Sequence, residues 1–217
     1  MFSPDGLALV RGWPGRIDGD RVVQLAAQTL QSFFTGGGAA REHAEYPLAE
    51  VELRAPVLQP PAVRVFAGAD FAFANPAAIY GPGDELPYPR GARSLELGLG
   101  FAAVVGAAGR IGGYTLANTW RAPDLPGAKS RDFALSIGPF VVTDRPAATV
   151  RAAAHERELA PDWDALVAHA ARNTRLRPGD LLVVDGGAGG AVAPGDVAEL
   201  AADGFDVLRN RVAPAPA

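Results

Sequence analysis

The chain has 217 residues and a mass of 22.4 kDa, the size of one large domain, and 48% of its residues are apolar. Its net charge of −4, with arginines scattered along the chain, excludes the basic footprint of a nucleic-acid-binding protein. The absence of cysteine excludes disulfides, iron–sulfur clusters and thiolate nucleophiles, and three histidines alone do not make a histidine-rich metal site.

The beginning of the chain predicts a small part with mixed secondary structure. Residues Gly6–Val10 predict a short strand, and apolar residues at helical spacing over 22–34 predict a helix that ends at three glycines. The polar, proline-containing segment 39–50 predicts a linker. Further prolines then break the chain, so we expect a small N-terminal domain over residues 1–55 and a second domain over 56–217.

The second part predicts strands, with one clear helix. A Pro-Gly-Asp turn recurs three times, and it matches a type II turn because proline presets φ and glycine supplies the positive φ that follows. We therefore predict a strand-rich α+β fold and not an alternating βαβ chain. The predicted strands are Val63–Gly68, Leu95–Val105, Tyr114–Asn118, Phe140–Thr143, Leu181–Asp185, Val197–Leu200 and Phe205–Asn210, the helix is Asp162–Asn173, and the turns are 82–84, 178–180 and 194–196.

No segment predicts a membrane span or a secretory leader. The longest run of apolar residues and glycine, Leu97–Gly109, is too short to cross a bilayer. Asp5 comes early, and no basic region precedes a long apolar stretch. We therefore expect a cytoplasmic protein that binds neither membranes nor nucleic acid.

Two local patterns suggest chemistry that their context argues against. The glycine-rich stretch 184–190 follows a strand, as a dinucleotide loop does, but Pro194 and Gly195 forbid the helix whose N-terminus would bind pyrophosphate. Lys129 and Ser130 are adjacent, and adjacent residues of an extended strand point to opposite faces, which argues against a Ser–Lys nucleophile.

Several short motifs are more specific when they are taken together and in order. They are Leu53–Val57, Val65–Phe71, Ile79–Pro89, Gly113–Asn118, Ala128–Ser130 with Ile137–Phe140, and Leu176–Asp180. In this order and spacing the chain resembles the fumarylacetoacetate hydrolase family from about Gly6 to Val212. The resemblance implies a small N-terminal domain and a C-terminal mixed β-roll with a divalent metal, usually Mg²⁺, at its mouth. It also implies 2-oxo or 1,3-dicarbonyl carboxylates as substrates, and C–C hydrolysis, decarboxylation or keto–enol isomerisation as reactions.

The positions that the resemblance assigns to metal ligands carry no carboxylate in this chain. The family's Glu-x-Glu pair aligns with Gly98 and Gly100, and the third ligand, an aspartate, aligns with Thr119. The histidine of the family's lid falls at Ala74, after which part of the lid is missing. We therefore predict no Mg²⁺ or Mn²⁺ in the cleft, and no other cofactor.

One alternative keeps a metal ion in a displaced position. Glu96 lies two residues before Gly98 and so on the same face of the strand, and it would hold such an ion together with Asp124. Without an ion, Glu96 and three other residues are predicted to contact the substrate in the remodelled cleft. The predicted substrate-binding residues are Asp70, Glu96, Thr119 and Asp185.

Lys129 is the one lysine among 19 arginines, and the resemblance aligns it with a lysine that contacts a substrate oxygen. One interpretation is functional: Lys129 binds a carboxylate or oxyanion, or forms a Schiff base with a ketone. The other is structural, with Lys129 in a salt bridge to Asp124 or Asp132. Lys129 and Asp124 are the predicted catalytic residues.

Two functions from different classes remain open. The first is a metal-independent enzyme or binder that acts on a 2-oxo acid, a β-keto acid or an enol-type small molecule around Lys129. The alternative is a catalytically silent homologue that serves as a partner subunit or scaffold. The resemblance also implies a homodimer, or pairing with an active relative.

Overall fold

Strands account for most of the structure, a computed structural model that describes residues 1–146 and 149–216. Two short helices, α1 (Leu30–Thr35) and α2 (Trp163–Ala171), and three 3-10 turns, Leu48–Glu50, Ala107–Gly109 and Gly127–Ser130, accompany them. The first nine strands are β1 (Phe2–Pro4), β2 (Gly15–Asp18), β3 (Arg21–Leu25), β4 (Glu42–Pro47), β5 (Val51–Leu53), β6 (Val63–Ala67), β7 (Asp70–Phe73), β8 (Ile79–Tyr80) and β9 (Glu85–Leu86). The others are β10 (Glu96–Val105), β11 (Ile111–Asn118), β12 (Leu135–Val142), β13 (Thr149–Ala152), β14 (His155–Glu158), β15 (Leu181–Ala191), β16 (Val197–Ala202) and β17 (Leu208–Val212). The predicted strand-rich α+β fold is confirmed.

A seven-stranded mixed sheet forms the body, in the order β7-β6-β15-β10-β11-β12-β8. Its central pairs are antiparallel, whereas β6 joins β15 and β8 joins β12 in parallel. A five-stranded sheet, β14-β13-β16-β17-β9, contributes the other large layer. Near the start of the chain, β2, β3 and β4 form a three-stranded sheet and β1 pairs with β5.

The central strands of the large sheet are buried on both faces. On β10, Phe101 belongs to the core shared with the five-stranded sheet and α2, where Leu200 and Trp163 are also buried. Val104 belongs to a second core on the opposite face, which includes Phe34 of α1. Burial on both faces explains why β10 reads as an unbroken apolar run and not as an alternating pattern.

Most elements predicted after residue 55 are confirmed, with changes at their ends. The predicted strand Phe140–Thr143 is the end of the longer β12, and the strand predicted at Phe205 begins only at Leu208. The glycine-rich stretch after Asp185 is not a loop, because it continues β15 and pairs with β10. Positive φ values of 78°, 89° and 87° at the glycines of the three Pro-Gly-Asp turns (83, 179 and 195) agree with the predicted type II geometry.

Three predictions for the beginning of the chain are wrong. Residues Gly6–Val10 form no strand, since Gly6 and Ala8 have positive φ and the strand lies at Phe2–Pro4 instead. The predicted helix over 22–34 is split, because its first residues form β3 and only Leu30–Thr35 is helical. The predicted linker over 39–50 contains β4, which is polar because most of its residues are exposed.

The N-terminal elements pack against the body of the protein. Phe2 of β1 pairs with Leu53 of β5, so the first strand lies beside the end of this part of the chain. Phe34 of α1 lies buried on the large sheet. The domain division after residue 55 stays a prediction. Neither of the two short helices in the described part of the chain has the length and apolar character that crossing a bilayer requires.

Candidate functional site

A cavity of about 620 Å³ lies between the β6–β7 hairpin, the residues after β11 and the 3-10 turn Gly127–Ser130. Most of its wall is apolar, and the ionisable side chains that line it are Asp70, Arg131 and Asp132. The cavity contains two of the predicted substrate-binding residues, Asp70 and Thr119. Its size is within the range of small-molecule sites. The residues with apolar side chains are Val65, Ala67, Phe71, Ala72, Phe73, Ala74, Trp120, Ala128, Ala134 and Leu135.

A buried carboxylate, Asp185 on β15, does not itself line this cavity but holds two residues that do, Thr119 and Arg131. Its side chain is only 3% exposed. Arg121 Nη2 lies 2.6 Å from both carboxylate oxygens, and Arg131 Nη1 donates to Oδ2 at 2.9 Å. Thr119 Oγ1 donates to Oδ1 at 3.1 Å, and the Gly187 N–H donates to the same oxygen at 3.0 Å. Thr119, Arg121, Arg131 and Asp185 therefore form one cluster, in which two guanidinium groups face one carboxylate.

Asp185 is ionised at neutral pH in this arrangement. Burial alone would raise the pKa of its carboxyl group. The hydrogen bond from Gly187, the hydrogen bond and charge of Arg121 and the hydrogen bond from Arg131 outweigh that effect, so the pKa of Asp185 lies below its usual value of 3.8. The cluster therefore carries one net positive charge.

Arg131 is the member of this cluster that is open to a ligand. Its side chain is 50% exposed, and it lines the cavity. Among the described residues, the only hydrogen bond of the Arg131 side chain runs from Nη1 to Asp185, which leaves the other edge of the guanidinium available. A free guanidinium edge binds a carboxylate through two parallel hydrogen bonds and stabilises negative charge on an enolate oxygen. Because Thr119 uses its hydroxyl proton on Asp185, its oxygen remains as an acceptor, for example for an enol hydroxyl.

The positions that the sequence resemblance assigns to the metal-binding Glu pair are closed by other atoms. A Cβ atom at Gly98 would overlap Thr119 Oγ1 and lie 2.5 Å from the Thr119 carbonyl oxygen. A Cβ atom at Gly100 would lie 2.6 Å from the carbonyl oxygen of Val184 and 2.9 Å from that of Ala117. There is therefore no space for an acidic side chain at either position on β10 without movement of the backbone.

The donor set at this site does not fit a divalent cation. Within residues 1–146 and 149–216, no group of three or more His, Cys, Asp or Glu side chains is close enough to hold a metal ion. The cluster beside the cavity offers one carboxylate, and this carboxylate already accepts hydrogen bonds from Arg121 and Arg131. A hard cation such as Mg²⁺ needs several oxygen ligands and is repelled by neighbouring guanidinium groups.

Asp124 and Glu96, the residues of the displaced-ion alternative, lie outside the cavity lining. Asp124 Oδ2 accepts from the Arg93 N–H at 2.7 Å, and Oδ1 accepts from Ser94 Oγ at 3.0 Å. The Arg93 bond chiefly lowers the pKa of Asp124. Both oxygens of Asp124 thus hold the loop before β10, while Glu96 lies at the first position of that strand and pairs through its backbone with Arg121.

Lys129 does not line the cavity. Its side chain is 73% exposed, and Nζ lies 2.7 Å from Asp132 Oδ2. Its neighbours Ala128 and Ser130 line the cavity, but Lys129 does not. This geometry matches the structural interpretation with Asp132 as the partner. The catalytic role of Lys129 stays a prediction, and the cationic group that faces the cavity is Arg131.

Asp70 lies at the rim of the cavity, at the start of β7. It accepts from the Phe71 N–H at 2.8 Å, and its Oδ1 lies 3.3 Å from His169 Nε2 on α2. The Phe71 bond, followed by the His169 bond, lowers the pKa of Asp70. Because its side chain is 90% exposed, Asp70 places a negative charge at the entrance.

Arg121 and Arg131 are not among the site residues predicted from the sequence. One signal was available, because Arg121 lies two residues after Thr119 and extended backbone points both side chains to one face. The abundance of arginine hid it, since no single arginine stands out among 19.

Comparisons with known proteins agree with this architecture. The family model described as fumarylacetoacetate (FAA) hydrolase C-terminal matches residues 34–213. No curated protein sequence matches the chain. Among solved structures, maleylpyruvate hydrolase from Sphingobium sp. SYK-6 in complex with manganese(II) and pyruvate is 19% identical, with a TM-score of 0.78 over 95% of this chain and 97% of that one. The 2-hydroxyhepta-2,4-diene-1,7-dioate isomerase from Mycobacterium marinum is 24% identical, with a TM-score of 0.72 over 93% and 92%. At these identities the structural similarity shows the fold alone.

Proposed function

The chain belongs to the fumarylacetoacetate hydrolase family, and we propose that it binds a small 2-oxo, β-keto or enol-type carboxylate without a divalent metal. The binding site is the cavity beside Thr119 and Arg131. The observation that carries the proposal is the pair of guanidinium groups on the single buried carboxylate of Asp185.

The charge of the cluster supports an anionic ligand. Arg121 compensates Asp185 at close range and is largely buried, with 17% of its side chain exposed. Arg131 is half exposed, so its charge is directed to whatever occupies the cavity. A carboxylate that approaches the free edge of Arg131 forms charge-assisted hydrogen bonds, which are stronger than bonds between neutral groups.

The ligand class is supported by the family. One structure with this fold contains pyruvate and manganese(II), and another is named as an isomerase of a hydroxy-diene dioate. The sequence resemblance assigns the metal-binding carboxylates to Gly98, Gly100 and Thr119. Metal independence is supported by the lack of space for a side chain at the two glycines and by the absence, among the described residues, of any group of three or more possible metal-ligating side chains. We infer that the guanidinium groups of Arg121 and Arg131 supply the positive charge of this site.

The test is calorimetric titration with pyruvate and phenylpyruvate in the presence of EDTA. We expect the unmodified protein to bind, and Arg131→Gln to weaken binding about 10- to 100-fold, since a hydrogen bond to a charged group contributes roughly 1.5–3 kcal/mol. Arg41→Gln is the matched control, because Arg41 is exposed and does not line the cavity.

Two results would overturn this proposal. Binding that appears only after Mg²⁺ or Mn²⁺ is added contradicts metal independence. Failure of the unmodified protein to bind any 2-oxo acid, or equal binding by Arg131→Gln, contradicts the assigned site and leaves the silent-partner function as the remaining hypothesis. A homodimer or pairing with an active relative, like a cytoplasmic location, stays a prediction.

A further inference from the structure

The ionisable groups that line the cavity are unevenly distributed. Within the described residues, Arg131 is the only cationic side chain in the lining, and Asp70 and Asp132 are the anionic ones. Asp132 is paired with Lys129, which does not itself line the cavity. Asp70 remains at the rim with its side chain 90% exposed, where it accepts from the Phe71 N–H and lies 3.3 Å from His169 Nε2. The cavity thus offers one cationic side chain, Arg131, that can bind a carboxylate, and it carries an acidic side chain, Asp70, at its entrance.

The wall between these groups is built for an apolar ligand portion. Phe71 and Phe73 on the edge strand β7 meet edge to face, with ring centroids 5.5 Å apart. Phe73 is 71% exposed although it is a large apolar residue beside a cavity. Trp120 closes the inner wall and is held by a hydrogen bond from Nε1 to Ser136. An aromatic ligand group placed here would cover Phe73 and gain edge-to-face contacts.

The volume of the cavity also favours a ligand with a bulky apolar portion. At about 620 Å³ it is much larger than a three-carbon acid such as pyruvate requires. A ligand that reaches from Arg131 to Phe73 fills more of this space. A second carboxylate on that ligand would meet no cation in the described lining and would approach Asp70.

We propose that this cavity selects monocarboxylic 2-oxo acids with an aromatic or bulky apolar tail, and that it discriminates against dicarboxylic 2-oxo acids. This specificity rests on the proposed function and goes beyond it. Arg131 binds the carboxylate, the rings of Phe71 and Phe73 contact the tail, and Asp70 repels a second negative charge.

The experiment compares phenylpyruvate, pyruvate and 2-oxoglutarate by calorimetric titration in EDTA. We expect the unmodified protein to bind phenylpyruvate at least about tenfold more tightly than 2-oxoglutarate. Phe73→Ala is expected to lower the affinity for phenylpyruvate at least threefold more than the affinity for pyruvate. Phe73 is 71% exposed, but its ring also lies over the guanidinium of the buried Arg64, so a thermal unfolding curve of Phe73→Ala accompanies the titration to show that the variant is folded.

The charge at the rim is tested with Asp70→Asn. This variant is expected to narrow the preference for phenylpyruvate over 2-oxoglutarate by about three- to tenfold. Asp206→Asn is the control, because Asp206 is exposed and outside the cavity lining, and it should leave the ratio unchanged.

The outcomes separate the specificity from the proposed function. Equal affinities for phenylpyruvate and 2-oxoglutarate, both lost in Arg131→Gln, would overturn the specificity while the assigned site stands. The specificity would also be overturned if Asp70→Asn left the preference for phenylpyruvate over 2-oxoglutarate unchanged and Phe73→Ala left the preference for phenylpyruvate over pyruvate unchanged. If no acid binds, the proposed function fails, and the specificity fails with it.

Discussion

Replacement of Asp185 by asparagine tests the central cluster of this protein. The substitution keeps the size of the side chain but removes the charge that Arg121 and Arg131 face. Breaking a buried ion pair by removing one partner costs about 3–5 kcal/mol, because the other charge is left uncompensated. Arg131 is half exposed and regains water, so the lower end of that range applies. We expect Asp185→Asn to lower the free energy of unfolding by about 3 kcal/mol, and the melting temperature by about 6–12 °C.

The same substitution predicts a specific dependence on pH. The pKa of Asp185 is lower in the folded protein than its usual value of 3.8, so its contribution to stability is fully present above that value. This contribution is lost as the pH falls through the lower pKa of the folded state. The stability difference between the unmodified protein and Asp185→Asn should therefore be constant from pH 5 to pH 7 and shrink below about pH 4.

The assay is urea unfolding followed by tryptophan fluorescence, at several pH values between 3 and 7. Asp206→Asn is the matched control, because it removes the same charge from an exposed position that has no hydrogen bond in the described structure. A loss below about 1 kcal/mol for Asp185→Asn, or a difference that does not shrink at acidic pH, would refute the assigned role of this buried carboxylate.

Two further predictions concern the glycines of β10 and Lys129. The double substitution Gly98→Glu with Gly100→Glu should destabilise the protein by about 1–3 kcal/mol or more, because the new side chains overlap Thr119 and the Val184 carbonyl group. It should create no micromolar Mg²⁺ site. Denaturant titration measures the first effect and calorimetry the second, and tight Mg²⁺ binding without destabilisation would contradict the packing argument. Lys129→Ala should change the unfolding free energy by less than about 1 kcal/mol and leave 2-oxo acid binding within about twofold, because its ion pair is mostly exposed. A Lys129 adduct trapped by borohydride with a 2-oxo acid would instead support the catalytic interpretation of Lys129.

The body of the fold was predictable because its strands carry strong local signals. From Leu97 onward β10 is an uninterrupted run of apolar residues and glycine, and Pro-Gly-Asp turns mark the starts of other strands. The N-terminal part was not predictable in the same way. The apolar residues around Val22 fit a helical period, but Val22 and Val23 form β3 because β2 and β4 pair with it on both sides. Such pairing depends on neighbours that a local period does not contain.

The candidate site was predictable only in part. Asp185 and Thr119 were both expected to contact substrate, and the structure joins them by a hydrogen bond at one end of the cavity. Their arginine partners come from different segments, and composition gave them no prominence. Lys129 was prominent for the opposite reason, because it is the only lysine of the chain. In the 3-10 turn at Gly127–Ser130 that side chain is mostly exposed and pairs with Asp132, three residues on, an arrangement that composition does not reveal.

The glycines of β10 and the cluster around Asp185 belong to one structural change. The absence of side chains at Gly98 and Gly100 allows Thr119 and the carbonyl groups of Ala117 and Val184 to approach β10 closely. This approach brings Thr119 within hydrogen-bonding distance of Asp185, whose remaining oxygen sites are used by arginines. A single acidic substitution on β10 therefore creates no metal site, because the new side chain meets packed backbone and two of the three carboxylates are still missing. Metal binding at this position would require at least the two glycines, Thr119 and the arginine contacts to change together, because packing as well as charge opposes a cation there.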